Sequence, residues 1–363
     1  MSRTKEYIGF GGLVLGIFYC WNLLDSSLQN MNFLAEGAPL YSWYFVVRSA
    51  FALGLSLVSV IFFNQCRESS VLDLTSDGDA KFRIVAAWIA VLCVLISGFM
   101  IVFNPPLFNA LSLEDSVFED ITAALLLLSS GYLIALVFIS TPKLQRWSVR
   151  SVLILGLAFV FFLIGMEEIS WMQRIFDVAT PSWLQENNYQ YELNLHNVAT
   201  ASTENLFYAG GFVLLALYPF VSYSSPIWKH FNAAAFLVPS RYIVVLGALT
   251  TVFSYEMWNI LWIQVAYFLG LAIIFLLGRN ALHRGRNADF VLFSVAFITL
   301  IVVQFIDLSF GSLMVRRWDD TEFKELIIAF GLAVYAYEIG QKVRALKSLP
   351  SVTQASSKIR HSF

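Results

Sequence analysis

Two adjacent carboxylates, Glu167 and Glu168, close a long apolar run, and Glu192, Asn194, His196 and Asn197 follow soon after. Carboxylates beside an imidazole can share a metal ion, or one can orient the ring for proton transfer. Glu192 and His196 are four residues apart, which sets them on one face if the segment is helical. Glu167 and Glu168 lie about 100° apart around a helix, so one enters a shared cavity while the other meets a cation or the headgroups. Glu167, Glu168, Glu192 and His196 are therefore the candidate catalytic groups. Acids beside lipid are costly and functional by default. Against this stand two plainer readings, a solvated helix end for the glutamates and a structural loop position for the histidine.

Asp120 and Glu325, with Glu119 and Glu322 beside them, open two helices expected on the same side of the membrane. With Glu168, Glu192 and His196 they form an expected ligand set for a divalent metal: a hard, oxygen-preferring ion, or zinc through His196. Gln173, Arg174, Asn194, Asn197 and Arg48 are the candidate substrate-binding groups. Either arginine could grip a phosphate bidentately, and Arg48 could instead snorkel or pair with a buried acid such as Glu167. The other histidines, His230, His283 and His361, fall on the opposite side, which excludes a multi-histidine site.

The elements that position these groups follow from composition. Of 363 residues, 58% are hydrophobic and 13% charged, about half the charge of a soluble domain, which has roughly 25%. A spanning helix needs ~20 apolar residues. Ten such runs are legible, at about 8–24, 42–64, 84–104, 120–140, 151–169, 204–224, 236–254, 259–278, 288–308 and 324–342. Long unbroken runs favour helices over the short alternating strands of a barrel. The expected fold is all-α, a polytopic transmembrane bundle of about ten helices, with residues 1–349 as one domain and 350–363 as a disordered tail. The stretch 236–278 reads either as two helices or as one long helix with a re-entrant piece. The cysteines, Cys20, Cys66 and Cys93, are too far apart for a CxxC motif. A net charge of −2 excludes a nucleic-acid partner on bulk electrostatics.

Lys and Arg collect in alternate loops, at the N-terminus, at Arg67/Lys81/Arg83, Lys143/Arg146/Arg150, Lys229/Arg241, Arg279/Arg284/Arg286 and in the tail. That asymmetry assigns both termini to the cytoplasm and the motif segment 170–203 to the outer face. Acids show the reverse bias, which the positive-inside rule does not require, so an acid-rich outer mouth points to a metal or a cationic substrate. Within the outer segment, Thr180-Pro181-Ser182 reads as the start of a short interfacial helix, with Thr180 as N-cap. The Glu338/Lys342 pair at i,i+4 reads as structural.

Glu167-Glu-Ile-Ser-Trp-Met-Gln-Arg174 followed by Asn188-x-Gln-x-Glu-x-Asn-Leu-His-Asn197 resembles a signature of bacterial polytopic inner-membrane proteins with no assigned activity. In that signature the first block reads Glu-Glu-x-Ser-Trp-Gly-Gln-Arg, and Met172 stands at the glycine position. Glu114-Asp115-x3-Glu119 resembles a second block, with Ser116 in place of glycine. The resemblance implies a bacterial inner-membrane location and no particular reaction.

These readings converge on an inner-membrane enzyme with an outward-facing carboxylate/histidine site, acting by hydrolysis or group transfer on a lipid-linked or small envelope substrate. Membrane lipids and that substrate are the expected partners. The alternatives are a cation- or proton-coupled transporter or channel, and a non-catalytic envelope assembly factor. The topology is testable with cysteines at Ser182 and Ser356. An impermeant thiol reagent on intact spheroplasts is expected to label the first and spare the second, and the reverse pattern would invert the orientation.

Overall fold

The computed structural model describes residues 2–29, 34, 36–65, 80–113, 117–139, 148–188, 191–224 and 236–348. The tail 350–363 and the Glu114-Asp115-Ser116 block lie outside them. Among the described residues every regular element is a helix: α1 Ser2–Gln29, α2 Trp43–Gln65, α3 Ala80–Phe103, α4 Pro105–Leu111, α5 Val117–Ile139, α6 Val149–Glu168, α7 Gln173–Phe176, α8 Ser182–Asn187, α9 Thr200–Phe212, α10 Tyr218–Ser224, α11 Arg241–Leu249, α12 Leu261–His283, α13 Asn287–Phe310 and α14 Asp319–Ser348. One π-helical turn, Val213–Leu217, joins α9 to α10 as a single rod. Nine of the described helices are long and apolar enough to cross a membrane.

The apolar runs become helices because in lipid each backbone amide must be satisfied within its own segment. Side-chain caps mark some of the starts: Asn104 accepts from the Leu107 amide at 3.2 Å, Ser148 from the Ser151 amide at 3.2 Å and Ser42 from the Phe45 amide at 3.4 Å. Large apolar side chains such as Leu128 (74% exposed) and Ile139 (76%) face outward, as a lipid-facing surface requires. The interior is built around α11, whose residues from Tyr242 to Leu249 are all buried. It packs on α3, α12, α14 and the π turn. The approach to that turn depends on Gly247, where a Cβ would lie 2.7 Å from the Leu215 carbonyl carbon. α5 packs against α6 and α14, bringing the ends of those three helices together.

The stretch 236–278 departs from two full helices. α11 has nine residues and ends at Leu249, and the chain then runs without helix to Ile260 before α12 begins. Every residue from Thr250 to Ile260 except Glu256 is buried. Non-helical backbone at such depth survives only where protein groups satisfy it. The Ser254 amide donates to Asp307 Oδ2 at 2.9 Å and the Tyr255 amide to Asp320 Oδ2 at 2.9 Å. Gln264 Nε2 donates to the Trp258 carbonyl at 2.7 Å, and Arg48 donates to the Asn259 carbonyl. Arg48 pairs with Asp25 at 2.5 Å, and not with Glu167, because α2, which carries it, packs on α12 and not on α6.

At the other end of α14 a second polar knot holds three segments. Glu338, fully buried, accepts from Arg83 at 3.0 Å, Lys342 at 2.8 Å and the Ser240 amide at 3.0 Å. Glu338→Ala should therefore lower the thermal midpoint in detergent strongly. Breaking a buried pair from one side costs ~3–5 kcal/mol because it strands the other charge. Arg83→Met combined with Glu338→Leu is expected to recover much of that loss.

Candidate functional site

The site is built from helix ends that meet at one end of the bundle: α5 starts there, α6 stops there, and α9 and α14 start there. Each contributes acids in its first or last turns, where carboxylates complement a helix N-terminus or, for α6, face the gap it leaves. They line a cavity of about 210 Å³ whose polar wall holds Glu119, Glu167, Glu168, Glu204, Glu322, Glu325, Asn194, His196 and Asn197. Leu163, Ile164, Phe207 and Trp318 form its apolar wall. Glu168 lies within electrostatic range of Glu325, Glu322, Glu119 and Glu204. Glu325 accepts from the Tyr208 hydroxyl at 2.7 Å. Lys324, one residue earlier, is buried, donates to Ser254 Oγ at 2.6 Å and lies 4.8 Å from the centre of the Tyr208 ring.

The motif segment divides into groups that build the cavity wall and groups that face the cavity. After α6 the chain reverses through Ser170, Trp171 and Met172, all in left-handed backbone conformations (φ 45°, 55° and 61°). Side chains fasten this reversal to the irregular segment 191–195 that follows α8. Ser170 Oγ donates to Glu192 at 2.5 Å, Asn194 Nδ2 donates to the same carboxylate at 2.9 Å, and Asn188 Nδ2 donates to the Asn194 side-chain and main-chain oxygens at 2.7 and 2.9 Å. Gln173 accepts from the Leu193 amide at 2.5 Å and donates to Thr180 Oγ1 at 2.6 Å. Thr180 is thus engaged in the loop, and α8 starts at Ser182 without its cap. Glu167 accepts from Trp171 Nε1 at 2.7 Å and from the Leu195 and His196 amides at 2.6 and 3.1 Å.

This assembly re-sorts the expected residues. Glu167, Glu168, His196 and Glu325 do reach one cavity, with His196 Nδ1 3.8 Å from Glu167 Oε2. Glu192 and His196 are not on one helix face. Residues 191–195 are irregular and His196–Val198 is a single 3₁₀ turn, so Glu192 turns back to Ser170 and lines no part of the cavity. Asp120 is exposed, whereas its neighbour Glu119, about 100° round the helix, lines the cavity. Asn194 and Asn197 line the cavity, Gln173 ties the loop, and Arg48 sits with Asp25. Arg174 has its backbone in α7, and its side chain lies outside the described residues. Among the described residues no group of three His, Cys, Asp or Glu side chains is arranged to hold a metal ion. The proposed ligand set Glu168, Glu192, His196, Asp120 and Glu325 does not close because Glu192 and Asp120 point elsewhere.

Glu204, Phe207 and Trp318 line the cavity from outside the sequence motif. The signal for Glu204 was present: it is an acid in the second turn of an apolar helix whose start lies on the motif's side, and Tyr208 follows one turn later.

Two measurements test this account of the reversal. Met172→Gly removes a left-handed penalty of ~1–2 kcal/mol against a glycine entropy cost of ~0.5–1 kcal/mol, so a small rise in thermal midpoint is expected. Glu192→Ala should lower that midpoint by leaving Ser170 and Asn194 without their shared acceptor. Unchanged stability in both would mean that the reversal is not the strained, stapled turn seen here. Comparison with family models, with curated proteins and with solved structures finds no match for this chain.

Proposed function

We propose that this chain is a multi-pass protein of the bacterial inner membrane that binds an organic cation, an aliphatic amine, in the carboxylate cavity and moves it across the membrane. The observation that carries the reading is the composition of the cavity wall. Six glutamates and one histidine face Leu163, Ile164, Phe207 and Trp318 across about 210 Å³. Carboxylates attract ammonium groups, aromatic faces attract the same charge through their quadrupole, and aliphatic walls accommodate methylene groups. A metal site would draw its ligands onto one point, and no such group forms among the described residues.

The architecture supports transport. In many secondary transporters a helix is interrupted beside the binding site and its unwound backbone lines that site. Here α11 stops at Leu249, and Ser254 of the unwound stretch accepts from Lys324, next to the cavity's Glu325. The segment 236–260 runs along α14 from Glu338 at one end to Asp320 at the other. We read it as a tenth, broken crossing, which returns both termini to one side. The alternation of basic loops makes that side cytoplasmic and opens the cavity outward.

A membrane enzyme acting on a lipid-linked or envelope substrate is the second reading, favoured by the 3.8 Å approach of His196 to Glu167. Its weakness is that Glu167 already serves the Leu195 and His196 amides and Trp171.

Binding of spermidine to the detergent-purified protein by calorimetry tests the leading reading. Saturable binding is expected, weakened at least tenfold in Glu168→Gln and Glu204→Gln, with uptake into proteoliposomes falling in parallel. Absence of binding for spermidine and for simpler diamines would overturn it. In the enzyme reading His196→Gln abolishes turnover, since a general base contributes ~10²–10⁴-fold. In the transport reading the same variant leaves the amine chemically unchanged and alters only its uptake.

A further inference from the structure

We propose a second cation site, for a single sodium ion, at the helix break beside Asp307, separate from the glutamate cavity. Asp307 is fully buried one turn before the end of α13. Its Oδ2 accepts from the Ser254 amide at 2.9 Å and from Gln304 Nε2 at 3.2 Å. The other carboxylate oxygen, Oδ1, is buried and has no hydrogen-bond partner, and neither has Oε1 of Gln304, itself 2% exposed. Both orphan atoms are acceptors on head groups joined by the Gln304 Nε2–Asp307 Oδ2 bond, and that same Oδ2 accepts from the break. A buried acceptor without a donor is expensive. Two of them on adjoining head groups beside unwound main chain supply oxygen ligands of the kind that coordinate a hard cation.

The charges around the carboxylate fit a monovalent ion. Asp307 shares its surroundings with Asp320 and Lys324 from α14. Tyr41, from the segment before α2, also faces it and is neutral. With both carboxylates ionised, Lys324, which Glu204 and Glu325 also draw on, does not balance them, and a sodium ion adds the missing positive charge. The ammonium donates to Ser254 on the break side and lies over Tyr208, whose hydroxyl donates to Glu325 on the cavity side. A cation in the break therefore repels the same ammonium that faces the cavity acids, so cations in the break and in the cavity oppose one another through Lys324.

The experiment measures thermal unfolding of the full-length protein in detergent at constant ionic strength, with KCl replaced stepwise by NaCl. A saturable rise of ~2–4 °C specific to sodium is expected for the wild type, as for any ligand bound only by the folded state. Asp307→Asn is expected to lose the sodium response while melting in KCl at or above the wild-type midpoint, because the buried charge is gone. Glu168→Gln, in the glutamate cavity, is expected to keep the response. Equal midpoints in sodium and potassium would overturn the site, as would a sodium response retained by Asp307→Asn. A midpoint that follows pH between 6 and 8 and ignores sodium would overturn it too, making the partner of Asp307 a proton.

Discussion

The structure depends on burying the charged first two turns of α14. Asp319, Asp320 and Lys324 are each at most 1% exposed, and Glu322 and Glu325 face the cavity. Charged groups taken out of water need partners, or the bundle does not close. Each partner comes from a different part of the chain. Asp319 holds Asn109 from α4 at 3.0 Å and Arg316 at 2.8 Å. Asp320 holds the Tyr255 amide, Lys324 the Ser254 hydroxyl, and Glu325 the Tyr208 hydroxyl. Four charged side chains within seven residues thus fix α4, α9 and the helix break relative to one another. Without them the break would expose main-chain groups to lipid, and the cavity would lose one wall.

The loop after α6 solves a related problem. α6 must stop as soon as it has delivered Glu168, and the chain must double back over the cavity. Three left-handed residues in succession make that turn, at a cost of ~1–2 kcal/mol each for residues with a Cβ. The side chains of Ser170, Trp171 and Gln173 hold it by bonding to Glu192, Glu167 and the Leu193 amide. Most of the polar motif is thereby a scaffold. It spends Glu192, Asn188 and Gln173 on the turn and leaves Glu168, His196 and Asn197 to face the cavity. Met172, at φ 61°, occupies the position where the resembling signature has glycine, the residue for which that conformation is free of steric cost.

The glutamate cavity and the helix break lie on either side of Lys324 and Tyr208: the ammonium donates to Ser254 in the break and lies over the Tyr208 ring, whose hydroxyl donates to Glu325 in the cavity. Outside the membrane-spanning segments, burial raises the pKa of Glu36, and repulsion from Glu256 adds to the shift. Their position on the segments that flank Asn259 links the break to the loop before α2, where the Gly37 amide donates to the Glu256 carbonyl at 2.8 Å.

Much of this protein was legible in its residue order. Long apolar runs must become helices in lipid because nothing else satisfies their amides, so nine of the runs correspond to helices long enough to span. The clustering of acids at one set of helix ends was equally visible, since it depends only on where the runs start and stop. The remaining run, 236–254, is apolar apart from Pro239, Ser240, Arg241 and polar residues after Leu249, where its helix ends. What permits the break is a pair of carboxylates, Asp307 and Asp320, that accept from Ser254 and Tyr255 from far along the chain. No local pattern announces that. The same holds for which of two adjacent acids enters the cavity. Glu119 enters and Asp120 does not, and Glu192 turns to Ser170 away from His196. Sequence places an acid on a helix or loop to within a residue. A rotation of about 100° between neighbours, set by how α5, α6 and α14 pack, decides what that acid faces.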